Sequence, residues 1–246
     1  MAASDLVCGV RPVIEALRAG RIIERLLIRR DAGGEGLREI RTLAMERGIP
    51  WQPVPPEKLD KLTRTEHQGV IALLSPVEPQ DLDEVITAVV ERGAAPLIVA
   101  LDGVTDVRNM GAIARSAECF GAHAIIVPKQ GTARLGDDAV KSSAGALLRI
   151  PICRVNTLVE GIERAREHGL QVIACTEKAD GSISRPDLGK PTLLVFGAEG
   201  EGISSDILEH ADERLRIGMA GQIGSLNVSV AAGIVLHEAM RHRTES

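Results

Sequence analysis

Residues 96–101, PLIVAL, are apolar without a break. A surface helix carries one apolar stripe and a half-exposed strand alternates apolar with polar residues. A short continuous run suits a strand covered on both faces, and such strands belong to parallel sheets layered with helices. Strand-length segments follow at 124–127, 152–155, 171–175 and 192–196, with helical stretches at 110–120 and 158–168 and a final helix at 229–242. That alternation predicts a parallel α/β domain of about 150 residues. Nothing approaches the roughly 18 consecutive apolar residues of a membrane-spanning helix.

A smaller unit precedes it. Residues 10–19 read as a short helix stopped by Gly20, and 22–28 as a strand. Leu37, Ile40, Leu43 and Ala44 fall at helical spacing within 36–47, and Gly48 ends that helix. Strand candidates at 51–54 and 70–74 complete an α/β unit of about 70 residues. The segment SPVEPQ at 75–80 has two prolines and little apolar content, which predicts a linker. Residues 82–92 are then helical. The expected organisation is a small domain over 1–75, a linker and leading helix over 76–92, and a larger domain over 93–246.

The net charge of -5 announces no polyanion partner, but its distribution is uneven. Residues 1–75 hold 12 Lys and Arg against 10 Asp and Glu, whereas 76–246 hold 17 against 24. Within the first part Arg18, Arg21, Arg25, Arg29 and Arg30 face only Glu24, a candidate phosphate-contacting patch. Aromatic rings are limited to Trp51, Phe120 and Phe196. A surface that stacks several bases on rings is therefore not expected. An RNA partner would be read through phosphates, ribose hydroxyls, shape and Arg planes. Cys8, Cys119, Cys153 and Cys175 form no CxxC pair, so neither structural zinc nor a disulfide framework is expected. They read as reduced, buried thiols of a cytoplasmic protein. Residues 1–10 carry Asp5 and no basic start before an apolar run, so no secretory signal is expected.

Ligands of open parallel sheets bind beyond the carboxyl ends of strands. Three such ends carry unusual loops. The first, LDGVTDVRNMGAIARSAE at 101–118, holds Asp102, Asp106, Arg108 and Asn109. Asn109 suits the N-cap of a helix beginning near Met110, and Arg115 stands six residues further on in an otherwise apolar helix. The second, LVFGAEGEGIS at 194–204, interleaves Gly197, Gly200 and Gly202 with Glu199 and Glu201. Its carboxylates make it a poor phosphate cradle, while its backbone suits a neutral or cationic ligand such as an adenosine carrying a sulfonium. The third, at 217–239, follows a short strand ending near Ile217. It spaces Ser225, Asn227 and Ser229 by two, ahead of a helix rich in small residues. Ser225 and Asn227 can donate into a cleft or serve as helix caps. No phosphate-loop motif, GxSxG elbow, HExxH or dinucleotide fingerprint is present.

Together, in order, these three segments resemble the signature motifs of the SpoU (TrmH) family of RNA ribose 2′-O-methyltransferases. GVRPVIEAL near the start and HQGVIAL at 67–73 resemble the amino-terminal RNA-binding domain of the family's RlmB-like subgroup. That subgroup methylates a guanosine ribose in the peptidyl-transferase region of 23S ribosomal RNA. The resemblance implies a SPOUT domain with a deep trefoil knot preceded by an L30e-like α/β domain. It also implies S-adenosyl-L-methionine as cofactor, no metal, large-subunit ribosomal RNA as partner, and a homodimer. Matched motif by motif, it implies catalytic roles for Asn109, Arg115, Glu199, Ser225 and Asn227, and cofactor contacts at Gly197, Ile217 and Leu226. Gly218 stands where the family usually has proline, and Gly224 where a larger residue is common. Because an Arg stays protonated, Arg115 is expected to clamp a phosphate and stabilise developing alkoxide rather than act as base. The competing readings are a transfer-RNA or antibiotic-resistance ribose methyltransferase, a non-catalytic RNA-binding assembly factor, and a small-molecule nucleotide-binding enzyme.

Overall fold

The computed structural model describes residues 6–177, 181–182 and 186–244. The segment 1–10, read for a leader, is thus described only from Leu6. The chain divides into two compact units, Met1–Glu78 with Leu135–Asp137, and Pro79–Arg134 with Asp138–Ser246.

The first unit contains β1 (Leu6–Cys8), α1 (Val10–Arg18), β2 (Ile23–Arg29), α2 (Glu35–Glu46), β3 (Trp51–Val54), α3 (Pro56–Asp60) and β4 (Val70–Leu74). Its sheet runs β1-β4-β2-β3, with β2 and β3 parallel and the other pairs antiparallel. Leu26, Ile28, Val70 and Ala72 on one face pack with Val13 and Leu17 of α1 and Leu37 and Ile40 of α2. Leu27 and Ile71 on the other face meet Leu59 of α3. A Cβ at Gly36 would lie 2.4 Å from Val10 Cγ1, so the absent side chain is what lets α2 pack there. The basic run does not form one open patch. Arg18 pairs with Glu39 at 2.6 Å, Arg29 with Asp31 at 3.0 Å, and Arg25 donates to Gln52 at 3.1 Å. A helix followed by a strand scatters consecutive arginines over different faces; these three find separate acceptors, while Arg21 and Arg30 have no side-chain partner among the described residues.

The second unit contains α4 (Leu82–Glu91), β5 (Leu97–Asp102), α5 (Val107–Cys119), β6 (Ala124–Pro128), α6 (Asp137–Ser142), β7 (Ile152–Val155), α7 (Leu158–Glu167), β8 (Gln171–Cys175), β9 (Gly181–Ser182), β10 (Thr192–Gly197), α8 (Ser205–Glu209), β11 (Glu213–Arg216) and α9 (Val228–Thr244). The sheet is parallel throughout, ordered β7-β6-β5-β10-β8-β11 with the two-residue β9 at its edge. All six residues of β10 are buried, as its apolar run requires. Ile86 of α4, Ile162 of α7 and Ile207 of α8 cover one face through Ile98, Ile126, Val172 and Val195. Helices α5 and α9 pack on each other and reach β6 and β10.

The segment 75–80 is more ordered than its prolines suggest. Pro79 bridges to Ile152 in parallel, and the Gln80 N–H donates to the Ile152 carbonyl at 2.9 Å. A proline can sit at a sheet edge, where no ladder bond is demanded of its nitrogen. The thiols depart in part from expectation: Cys153 is buried and Cys8 and Cys175 are partly buried, but Cys119 is exposed at the end of α5.

Candidate active site

The strand order reverses where β10 joins β5, and the three signature loops leave the carboxyl ends of strands around that point. Aspartate 102 ends β5, paired in register with Gly197 at the end of β10. Its carboxylate accepts the Ser204 N–H at 2.7 Å, which ties the first loop to the end of the second. The second loop closes on itself, with Ala198 and Gly202 exchanging N–H to carbonyl bonds of 3.1 and 2.9 Å. A Cβ on Gly197 would lie 2.1 Å from the Gly202 carbonyl carbon, so only glycine fits there. Gly200 and Gly202 take φ of +86° and +79°, the left-handed conformations that such a tight loop needs.

Asn227 joins all three loops. Its Nδ2 donates to Asn109 Oδ1 at 3.1 Å and, over a shorter contact, to Glu199 Oε1. Its Oδ1 accepts the Ser229 N–H at 2.9 Å and the Ser229 hydroxyl at 2.6 Å, capping α9. One carboxamide thus caps a helix through its oxygen and joins the loops through its nitrogen. Asn109 is not itself a cap, contrary to the sequence reading. Asp106 caps α5 instead, accepting from the Arg108 and Asn109 N–H groups at 2.7 and 3.1 Å. A carboxylate at the N-cap benefits from the helix dipole, and the earlier start leaves the Asn109 side chain free for Asn227.

A cavity of about 360 Å³ opens beside these loops. Its lining includes Gly197, Glu199, Ile217, Ser225, Leu226 and Asn227. The cavity therefore gathers every proposed cofactor contact and three of the five residues proposed for catalysis. Asn109 reaches the group through Asn227. Arg115 does not line the cavity: it lies exposed on α5 and makes no hydrogen bond or ion pair among the described residues. Ser225 likewise makes no hydrogen bond among the described residues.

The walls suit an adenosine-bearing sulfonium. Phe196, Ile203, Leu215 and Val235 offer apolar surface, and Glu177 and Glu199 bring carboxylates toward a cationic ligand. The volume falls within the roughly 300–1,000 Å³ of small-ligand sites. Cys175 also lines it, but burial pushes that thiol well above its ordinary range, and it pushes Cys153 up to about 12. Neither serves as a thiolate nucleophile near neutral pH. Sequence reasoning missed Thr176, Glu177 and Met219 in the lining. Thr176 and Glu177 follow β8 without any motif of their own, and only the sheet order brings them beside Gly197, whereas Met219 lies within the third loop, where nothing in the sequence sets it apart from its neighbours.

No group of three or more His, Cys, Asp or Glu side chains suited to a metal ion occurs among the described residues, and no described helix is long and apolar enough to cross a membrane.

Residues 96–237 match the family model of the SpoU rRNA Methylase family, and residues 6–80 match that for RNA 2′-O ribose methyltransferase substrate binding. YacO of Bacillus subtilis (strain 168), assigned to the TrmH family of tRNA/rRNA methyltransferases, is 35% identical over 97% of this chain and 96% of its own. The structure of the SpoU methyltransferase AviRb from Streptomyces viridochromogenes, in complex with AdoMet, is 30% identical with a TM-score of 0.62, covering 98% of this chain and 91% of that one. An AdoMet-bound rRNA methyltransferase from Sinorhizobium meliloti is 29% identical with a TM-score of 0.59, over 96% and 87%. Motifs, parallel sheet and loop convergence agree with these matches, and the chain belongs to the SpoU (TrmH) family of RNA methyltransferases.

Proposed function

We propose that this protein transfers a methyl group from S-adenosylmethionine to a ribose 2′-hydroxyl of large-subunit ribosomal RNA, on a guanosine of the peptidyl-transferase region. The observation that carries the reading is the convergence of Asn109, Glu199 and Asn227 beside a cavity of suitable size and charge. The family's rRNA description and a substrate-binding model over residues 6–80 favour ribosomal over transfer RNA.

S-adenosylmethionine supplies a methyl group already made electrophilic by its sulfonium. The chain must align that methyl with the ribose oxygen and assist loss of a weakly acidic proton. Backbone at Gly197, Ile217 and Leu226 holds the cofactor, and Glu199 and Asn227 fix the loops around it. Asn109 and Ser225 position cofactor and ribose. Arg115, without a partner among the described residues, clamps the phosphate next to the ribose and stabilises developing alkoxide charge. A phosphate oxygen or water then accepts the proton.

The same reading includes an L30e-like domain over 1–75, a linker and leading helix over 76–92, and a SPOUT domain over 93–246 whose carboxyl-terminal segment is threaded as a trefoil knot. It includes cytoplasmic action as a homodimer. Val230 and Ile234, 50% and 40% exposed one turn apart on α9, support a subunit contact through that helix.

The test is transfer of labelled methyl to unmodified large-subunit rRNA and, in parallel, to bulk tRNA, with the modified nucleotide mapped by mass spectrometry. One 2′-O-methylguanosine in the peptidyl-transferase region is expected. Methylation of tRNA alone overturns the substrate. Arg115→Ala is expected to abolish transfer and leave cofactor binding intact; loss of both together sinks its assigned role.

A further inference from the structure

Trp51 is the only tryptophan in a chain without tyrosine, and it is 40% exposed. It opens β3, at the edge of the small sheet, in register with Leu26. Leu26 belongs to the face that α1 and α2 cover, so Trp51 lies on that same face, one strand further out. Arg41 of α2 stands over the indole, its guanidinium carbon 5.4 Å from the ring centroid. Arg41 makes no hydrogen bond or ion pair among the described residues, and its Nε is shielded from water without an acceptor. Arg38 and Met45 lie on the same face of α2, three residues before and four after Arg41. Both are exposed, Met45 at 76%, and the Arg38 side chain likewise has no partner among the described residues.

Arg18, Arg25, Arg29 and Arg47 of the same unit have found acceptors; of the unit's arginines without one among the described residues, Arg41 is the one seated over an aromatic ring. Two guanidinium groups without partners among the described residues, one over an exposed ring and the other on the same helix face, lack an anion and a planar apolar partner. An unpaired nucleotide brings both: a phosphate for the cations and a base that stacks on the indole or on the guanidinium plane. A single ring is enough for one base.

We propose that Trp51, Arg41 and Arg38 form a stacking contact for one unpaired nucleotide of the RNA substrate. The proposal rests on the reading of the chain as an RNA methyltransferase and adds the place where its small unit grips single-stranded RNA. The charge of the patch and the substrate-binding family model over these residues select RNA over an apolar protein partner.

Because Trp51 is the sole tryptophan and no tyrosine is present, the protein's own fluorescence reports this site alone. The full-length chain is titrated with short unpaired ribo-oligonucleotides, with a fully paired duplex, and with the methyl-accepting rRNA fragment, while binding is followed separately by retention on filters. Quenching by the unpaired strands and the rRNA fragment is expected, and little by the duplex. Trp51→Ala and Arg41→Ala are each expected to weaken RNA binding roughly 10-fold. They should raise KM for RNA with kcat nearly unchanged, and Trp51→Phe should restore most of the loss. Thermal unfolding of each variant separates weakened binding from weakened folding. Emission unchanged at saturating RNA, or full affinity in a folded Trp51→Ala variant, overturns the proposal. An emission change that follows protein concentration without RNA also overturns it, and assigns the patch to a second copy. Quenching without methyl transfer would leave the contact standing and overturn the enzymatic reading instead.

Discussion

The two units solve different problems with similar parts. Both layer helices on a sheet, yet the small unit presents its unpaired polar groups outward, on an edge strand and an exposed helix face. The larger unit turns its polar groups toward one another at the carboxyl ends of parallel strands. There Asn227 satisfies a helix end, Asn109 and Glu199 at once. A surface of unpaired cations can adapt to a flexible polyanion, whereas aligning a methyl group with an oxygen needs side chains already locked in place. On the proposed reading, recognition belongs to one unit and chemistry to the other.

The sharpest way to break that contrast is to untie the locked side. Asn227→Ala removes both the cap and the two loop contacts, and is expected to lower methyl transfer by about 100-fold. It should also lower stability by about 1 kcal/mol through loss of the cap. Asn227→Ser keeps a capping hydroxyl and should recover the stability but not the rate. Initial rates beside thermal unfolding read the two effects, and equal recovery of both would mean that Asn227 is only a cap.

A smaller effect is expected at the far end of α9. Arg243 donates to the carbonyls of Leu188 at 2.9 Å, Pro96 at 3.2 Å and Lys190 at 2.6 Å, and also to Ala95. Its half-buried guanidinium has its pKa lowered, chiefly by desolvation. Arg243→Ala leaves these carbonyls short of a donor and should destabilise the larger unit by about 2–3 kcal/mol. Trp51 emission follows the small unit alone, so the loss should appear in circular dichroism with the Trp51 transition unmoved. A shift of both together would show that the two units unfold as one.

The smallest effect concerns acid. The Arg164 guanidinium, within 2.8 Å of Asp81 and Asp83, holds both carboxyls below their ordinary value of 3.8. Carboxyls whose pKa is lowered by folding add stability that is fully present above 3.8 and is lost as pH falls through their folded values. Arg164→Ala should therefore weaken the larger unit near neutral pH and flatten its decline below pH 4. An unaltered acid limb in the variant would remove this ion cluster from the account.

Much of the parallel sheet was readable because continuous apolar runs have few alternatives: the strands at 152–155 and 171–175 fall where the runs do. Helices α3, α6 and α8, with five or six residues each, were not legible, since so short a segment shows no full period. At the site, the resemblance pointed to Asn109, Glu199 and Asn227, but their mutual bonds were invisible because they depend on how distant loops meet. Asp106 was overlooked as a cap because Asn109 suits the same position, and local preference cannot say which residue starts the helix. The Arg41–Trp51 pair was hidden for a similar reason: ten residues separate the two, and only the edge position of β3 brings ring and cation together.

The Asn109–Asn227 bond spans 118 residues. At a synthesis rate of roughly 5–20 residues per second, Asn109 leaves the ribosome's active centre about 6–24 s before its partner has been made. During that interval the four-stranded sheet of the small unit, whose last strand ends at Leu74, has time to fold and meet RNA. A growing chain would thus possess a grip before it possesses a reaction, and its first encounter with nascent ribosomal RNA would be as a binder.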